Sequence, residues 1–222
     1  MDLGEVTALP GAAVEKWAAR HGPRGVLFRA GAICADLPLT VSEAQGLGRV
    51  SCRRRQQFAT GRTLARDLLA QLRGGSDLSL PIRRGGAPGW PLGFVGSIAH
   101  SDALCLVGVA RSAAILAIGV DLEPVAPLDD QLVALICRPD ETTFPSGWDA
   151  LAHFVAKEAF YKAYSTLADG FLDFCDVRVS FDQSGNFQAT IVNPSRPSPA
   201  VLQGVGGKIS IKEGHYVAIV CV

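Results

Sequence analysis

Apolar positions along the chain follow two different periods, which predict where helices and strands lie. Between Ser51 and Arg73 the apolar residues form one stripe at helical spacing, which predicts a long helix that stops at Gly74. A second helix with an apolar face is predicted from Ser146 to about Asp169. Shorter helices are predicted over 12–20 and 129–137, and strands over 26–29, 94–101, 104–110, 114–121, 176–181, 186–192, 207–212 and 215–222.

The order of these elements predicts an α+β fold with two similar lobes, related as a pseudo-dimer. Each lobe contains a long helix packed on a mainly antiparallel sheet, and hairpin signals occur at 182–185 and 213–214. A proline-bearing connection follows Pro124, so we place the N-terminal lobe at residues 1–123 and the C-terminal lobe at residues 124–222. The active site is expected at the interface of the lobes.

Composition describes a globular protein and excludes several classes of partner. The chain has 222 residues, of which 48% are hydrophobic and 19% are charged, and this is enough for a substantial core. Lysine plus arginine and aspartate plus glutamate each number 21, so no global field attracts nucleic acid or an anionic membrane. The N-terminus lacks the pattern of a signal peptide, and the six cysteines are scattered. We expect a soluble, cytoplasmic protein whose thiols are reduced and mostly buried.

The second long helix carries charge where the pattern is otherwise apolar. From Phe154 to Tyr164 every residue is apolar or aromatic except Lys157, Glu158 and Lys162. Glu158 and Lys162 lie one above the other at a spacing of i and i+4, a pair that is ordinary on a solvated face. Ions on a mostly buried helix need partners, however, because an isolated buried charge is costly.

Two acidic residues stand at the end of an apolar strand. Asp121 and Glu123 point to the same side of an extended chain, roughly 7 Å apart, so both can reach one cation. The same pattern also occurs in simple turns. Carboxylate oxygens with water and phosphate are the usual ligands of magnesium, and Glu158 is a third candidate ligand from the other lobe.

Arginines dominate the basic residues of the first half. The first long helix carries a row that is typical of a solvated face, whereas Arg54 projects near its apolar side, where an anion would give it a partner. Arg83 and Arg84 follow in a glycine- and proline-rich loop without the Gly-Lys-Ser/Thr ending of a phosphate-binding loop. His100, at a strand end, is by default an ordinary core or surface histidine. The row of arginines on the first long helix consists of Arg55, Arg62, Arg66 and Arg73.

Three ordered blocks of sequence resemble the 4′-phosphopantetheinyl transferases, in particular the two-lobed surfactin- and enterobactin-synthase type. The likeness spans roughly residues 50–180. The blocks are Gly96-Ser97-Ile98-Ala99-His100-Ser101, Gly119-Val120-Asp121-Leu122-Glu123-Pro124 and Phe154-x-x-Lys157-Glu158-Ala159-x-x-Lys162. Two positions depart from the family pattern: Ala99 replaces a common serine or threonine, and an arginine of the 83–84 pair replaces a customary lysine.

The resemblance implies transfer of the 4′-phosphopantetheine group from coenzyme A to a serine of an acyl or peptidyl carrier protein. Adenosine 3′,5′-bisphosphate is released, and the pathway is nonribosomal peptide, polyketide or siderophore biosynthesis. The implied magnesium ligands are Asp121, Glu123 and Glu158. The implied catalytic residues are Asp121, Glu158, which is also the candidate base, and Lys162. The implied coenzyme A contacts are Arg54, Arg62, Arg83 or Arg84, Ser97 and His100, with Lys157 and Lys162 at the pyrophosphate.

Two other functions compete with transfer. The chain is alternatively a catalytically silent module that binds coenzyme A or a carrier protein, although the intact acids and Lys162 argue against silence. A magnesium-dependent hydrolase of coenzyme A would use the same cation site with water as the acceptor. Both halves of the site lie in one chain, so a monomer is expected.

Overall fold

The computed structural model describes residues 9–75, 78–83, 86–142, 144 and 147–222. Short 3-10 turns occur at Pro139–Glu141, Phe174–Asp176 and Ala200–Leu202. The helices are α1 (Ala12–His21), α2 (Val41–Leu47), α3 (Cys52–Arg73), α4 (Asp130–Ile136) and α5 (Ala150–Leu167). The strands are β1 (Val26–Ala32), β2 (Phe94–His100), β3 (Leu104–Arg111), β4 (Ile118–Pro124), β5 (Val177–Phe181), β6 (Asn186–Ile191), β7 (Val205–Lys212) and β8 (His215–Cys221).

The strands form two antiparallel sheets, which confirms the predicted α+β fold with a long helix on each sheet. The order in the first sheet is β1-β3-β2, and in the second it is β4-β8-β7-β6-β5. Alternate residues of β3 face opposite sides: Val107 packs with α3, whereas Leu106 joins a core that includes β4 and β8. The other face of the second sheet packs on α5. The layers therefore run α3, first sheet, second sheet and α5.

Strand β4 belongs to the second sheet. Ile118 pairs with Cys221 and Pro124 with His215 in an antiparallel ladder. The predicted lobe boundary between residues 123 and 124 therefore does not coincide with the division between the sheets, which falls between β3 and β4. Proximity in sequence to β3 suggested the other assignment, but the backbone groups of β4 find their partners on the last strand of the chain.

Several local predictions are corrected. Helix α5 starts at Ala150, where the Asp149 carboxylate accepts from Ala152 N at 3.0 Å, and not at Ser146, which lies outside the described residues. Helix α2 was not predicted, although Thr40 and Glu43 form a capping box at its start. The expectation of mostly buried thiols is wrong, because only two of the six cysteines are buried. Among the described residues, no helix is long and apolar enough to cross a membrane.

A buried carboxylate joins α2 to α3. Glu43 is fully buried and accepts from Arg66 Nη1 at 2.5 Å, Leu80 N at 3.0 Å and Thr40 N at 2.9 Å. Burial alone would raise the pKa of Glu43, but the hydrogen bonds from Thr40 N, Leu80 N and Arg66 outweigh it and lower that pKa below its usual value. Arg62 Nε also donates to Leu80 O at 2.9 Å. Both the backbone N and the backbone O of Leu80 are therefore hydrogen-bonded, and this fixes the segment just before the loop that carries Arg83.

Substitution Glu43→Gln should lower the free energy of unfolding by about 2 kcal/mol at neutral pH, since hydrogen bonds to a charged group are lost. The folded-state pKa is depressed, so the carboxylate stabilises fully above the ordinary value of 4.5. That contribution disappears as the pH falls through the folded-state pKa. Denaturant unfolding between pH 7 and pH 3 should show the two proteins converging in acid. Asp169→Asn, at an exposed carboxylate, is the control; a Glu43→Gln difference that is constant with pH would contradict this role.

Candidate active site

Helix α5 lies directly against β4, and this contact positions the central charges. Gly119 has no side chain, and a Cβ there would stand 1.7 Å from Ala159 O of α5. The close approach lets Lys162 Nζ donate to Val120 O at 3.0 Å and to Asp121 Oδ1 at 2.6 Å. The structure therefore places Lys162, on the charged face of α5, against Asp121 at the acidic end of β4.

Three carboxylates share this region. Burial, together with Asp121 and Glu158, raises the pKa of Glu123 to about 7, while Lys162 opposes the shift. Burial and the Asp121 charge also raise the pKa of Glu158. Asp121 Oδ2 is buried and has no hydrogen-bond partner among the described residues. Negative charge is thus concentrated here and only partly compensated by Lys162.

The donor set suits a hard cation. All three candidate ligands offer carboxylate oxygens, the type that magnesium prefers, and Asp121 Oδ2 is an unused buried acceptor. In the part of the chain that the structure describes, no three acidic, histidine or cysteine side chains form a ready ligand cluster. Lys162 occupies the remaining oxygen of Asp121. The residues fit magnesium by their chemistry and charge.

A basic cavity of about 90 Å³ lies between α3 and β2. Arg54 Nη1 stands 2.6 Å from His100 Nε2; the guanidinium can only donate, so Nε2 accepts and Nδ1 carries the ring proton. His100 Nδ1 and Arg62 Nη2 are both buried without partners among the described residues. Burial, Arg54 and Lys162 lower the pKa of His100 to about 4. Two unused buried donors beside Arg54 make this cavity suited to an anion.

Contacts with Phe58 and Leu80 hold the guanidinium of Arg62 in place at the basic cavity. Its guanidinium is almost fully buried and lies 4.3 Å from the centre of the Phe58 ring, while Nε is bound to Leu80 O. Burial lowers the pKa of Arg62 to about 10, which leaves it charged at neutral pH, and Glu43 opposes the shift. The hydrogen bond from Nε to Leu80 O therefore fixes the orientation of the guanidinium, including that of Nη2.

Of three further predicted coenzyme A contacts, two are not among the residues that line the basic cavity and one lies outside the described residues. Ser97 is buried, and its hydroxyl accepts from Val120 N at 3.1 Å, so it links β2 to β4. Arg83 is exposed and is not among the residues that line the basic cavity. Arg84 lies outside the described residues.

Lys157 is not brought to the carboxylate cluster. Its ammonium is buried and donates to Ile136 O at 2.8 Å, Glu141 Oε2 at 2.6 Å and Phe174 O at 3.1 Å. The predicted pyrophosphate contact is therefore replaced by a structural one, because a buried ammonium takes all its donors to nearby acceptors. The sequence did not predict Glu141 as the partner of Lys157. The available signal was that a lysine in a mostly apolar helix needs an acidic partner.

An apolar cavity of about 160 Å³ adjoins the cluster on the side of α5. Tyr161 and Phe171 line it, and Glu158 borders it. Phe171 is largely exposed, which is unusual for a side chain of that size. The sequence did not predict this cavity, because it forms between α5 and the loop that follows the helix. Glu158 therefore stands between an acidic cluster and an apolar space.

The carboxylates thus lie where β4 meets α5, and the basic cavity lies between α3 and β2, in an α+β chain with two antiparallel sheets. Residues 42–110 match the profile of the 4′-phosphopantetheinyl transferase N-terminal domain, and residues 117–221 match that of the 4′-phosphopantetheinyl transferase superfamily. These two ranges fall on either side of the division between the sheets. The chain belongs to the 4′-phosphopantetheinyl transferase family and is a transferase of that type.

Three curated relatives agree with this assignment. The 4′-phosphopantetheinyl transferase Svp of Streptomyces mobaraensis is 35% identical over 194 residues, which cover 81% of this chain and 77% of the relative. PptT of Mycobacterium tuberculosis is 33% identical over 187 residues, which cover 78% and 81%. Npt of Nocardia iowensis is 32% identical over 152 residues, which cover 66% and 68%. PptT and Npt are, like Svp, 4′-phosphopantetheinyl transferases.

Substitution Gly119→Ala should separate α5 from β4, because the added methyl meets the rigid backbone of the helix at Ala159 and Ala163. Overpacking of this kind costs about 1–3 kcal/mol, and a displacement of about 1 Å can reduce turnover about 100-fold. Thermal unfolding and transferase assays would measure both effects. Gly31→Ala is the matched control, since a Cβ there meets nothing within 4 Å. Wild-type turnover in Gly119→Ala would show that the close contact does not position the site.

Proposed function

We propose that this chain transfers the 4′-phosphopantetheine group of coenzyme A to a serine of an apo acyl or peptidyl carrier protein. The reaction is magnesium-dependent and releases adenosine 3′,5′-bisphosphate. The observation that carries the proposal is the contact of Lys162 with Asp121, beside Glu123 and Glu158, in a chain of this family. Both domain profiles lie in one chain, which supports the two-lobed type and a monomer.

The basic cavity is the proposed site for the 3′-phosphate end of coenzyme A. Arg54 and Arg62 supply positive charge there, and His100 Nδ1 and Arg62 Nη2 supply donors without partners. Ser97 supports this site indirectly: its hydroxyl accepts from Val120 N and so joins β2, which carries His100, to β4. Arg83, at the exposed loop, is a proposed contact at the rim.

The carboxylate cluster is the proposed site for magnesium and the pyrophosphate. Asp121, Glu123 and Glu158 would hold the ion, which when bound neutralises charge on the phosphate oxygens. Lys162 is the proposed cation of this chain at the pyrophosphate, because Asp121 Oδ1 and Val120 O already fix its ammonium at the cluster. Phosphoryl transfer depends mainly on positioning and charge stabilisation, and these residues provide both.

The apolar cavity is the proposed site for the pantetheine arm and the approach of the carrier serine. A bond forms between the serine oxygen and the β-phosphorus, while the bond from that phosphorus to the bridging oxygen breaks. Adenosine 3′,5′-bisphosphate leaves with the bonding electrons. Glu158 borders both the cavity and the cluster, so it is the proposed base that takes the serine proton. Lys157 supports this wall by binding Phe174 O and is not a proposed phosphate contact.

Incubation of the protein with coenzyme A, magnesium and an apo carrier protein tests the proposal directly. Intact mass spectrometry should show that the carrier gains the mass of one phosphopantetheine group. The gain should disappear with EDTA and return when magnesium is restored, because the carboxylate cluster would lose and regain its cation. Substitution of the acceptor serine of the carrier by alanine should also abolish it.

The matched variant is Glu158→Gln, which keeps the size of the side chain and removes the proposed base. Its transfer rate should fall by about 100-fold or more with an unchanged fold. Asp169→Asn, just beyond the end of α5, is the control and should keep the wild-type rate. Binding of coenzyme A without any mass gain would favour a silent binding module. Consumption of coenzyme A without a carrier would favour a hydrolase.

A further inference from the structure

The turn between β7 and β8 reaches from the second sheet to the first half of the chain. The Glu213 carboxylate accepts from Gly11 N at 2.7 Å and Ala13 N at 2.8 Å, so it caps α1, whose own N-cap residue has no side chain. Two residues further on, His215 Nε2 lies 3.0 Å from Ser101 Oγ, and both side chains are buried. This turn therefore touches the first sheet where β2 ends.

The hydrogen bonds around His215 assign its tautomer. His215 Nδ1 lies 2.8 Å from Glu213 O, which only accepts, so Nδ1 carries the proton. Nε2 is then the acceptor of the ring, and the Ser101 hydroxyl donates to it. Ser101 Oγ in turn accepts from Ala103 N and Leu104 N, each at 3.1 Å. Every polar atom of this buried group has a partner, and the orientation of Ser101 is fixed.

Ser101 directly follows His100, whose imidazole meets Arg54 in the basic cavity. The carbonyl of Ser101 accepts from Gln57 Nε2 at 3.1 Å, and Gln57 lies one turn beyond Arg54 on α3. The end of β2 is thus held from two sides, by α3 through the Ser101 carbonyl and by His215 through the Ser101 hydroxyl. Both contacts are made by the residue that directly follows His100.

We propose that His215 is a positioning residue for coenzyme A binding. Its Nε2 accepts from Ser101 and keeps the end of β2 in the position that lets His100 and Arg54 meet one phosphate group. His215 does not touch the substrate, and the inference rests on the function proposed above. Loss of the acceptor leaves the proton of the buried Ser101 hydroxyl without a partner, so the end of β2 shifts and the affinity for coenzyme A falls. The rate at saturating coenzyme A should not change, because the carboxylate cluster is untouched.

Two substitutions of His215 separate this role from packing. In His215→Gln the side-chain oxygen takes the place of Nε2 and can accept from Ser101. In His215→Asn the amide takes the place of Nδ1, so it can donate to Glu213 O but does not reach Ser101. Ser101→Ala removes the same contact from the other side, together with the hydrogen bonds from Ala103 N and Leu104 N, and serves if the asparagine variant does not fold.

We expect His215→Asn and Ser101→Ala each to raise the KM for coenzyme A about tenfold, with kcat within about twofold of wild type. His215→Gln should keep a KM near that of wild type. The Ser101→Ala/His215→Asn double variant should be no worse than Ser101→Ala alone, since Ser101→Ala already removes the contact that His215→Asn removes. Glu213→Gln weakens the cap of α1 from the same turn and should lower the melting temperature without raising the KM.

The outcomes separate this inference from the function on which it rests. Wild-type protein that shows no binding of coenzyme A by calorimetry would overturn the proposed function and this inference with it. Wild-type protein that binds, with an unchanged KM in His215→Asn and Ser101→Ala, would overturn this inference alone. A raised KM in His215→Gln equal to that of His215→Asn would also overturn it, because the acceptor would then not be the group that matters.

Discussion

The close packing of α5 on β4 at Gly119 is the constraint on which the site depends. A strand normally keeps a helix at the distance set by its side chains, but here the helix backbone at Ala159 meets the strand where no side chain exists. Lys162 can therefore reach both Val120 O and Asp121. The same strand faces the core shared with the first sheet on its other side. A single strand thus carries Asp121 and Glu123, supports α5 and joins the two halves of the chain.

The charges of the site form one connected system. Lys162 contributes to the pKa shifts of both His100 and Glu123, so the basic cavity and the carboxylate cluster lie within electrostatic range of each other. Ser97 joins them mechanically, because it binds the backbone of β4 from β2. An elongated ligand with phosphates at two positions matches this arrangement. Glu158 borders both the carboxylate cluster and the apolar cavity, and that cavity suits an uncharged group.

Sequence reasoning predicted the parts that depend on local spacing. The i, i+2 acids at Asp121 and the i, i+4 pair at Glu158 follow from strand and helix geometry, and the structure brings them together. It could not predict which sheet β4 joins, since that depends on pairing with a strand far along the chain. It misplaced Lys157 for a similar reason: the partner, Glu141, lies in a weakly patterned segment that only tertiary packing brings to α5. Local patterns fixed the candidates, and long-range contacts decided their roles.

A crystal structure with coenzyme A and manganese in place of magnesium tests the central claim most directly. The account predicts one anomalous scattering peak among the carboxylates of Asp121, Glu123 and Glu158, in contact with the pyrophosphate. The 3′-phosphate should lie against Arg54, Arg62 and His100. A manganese peak away from these three carboxylates, or coenzyme A bound outside the junction of the two sheets, would contradict the account.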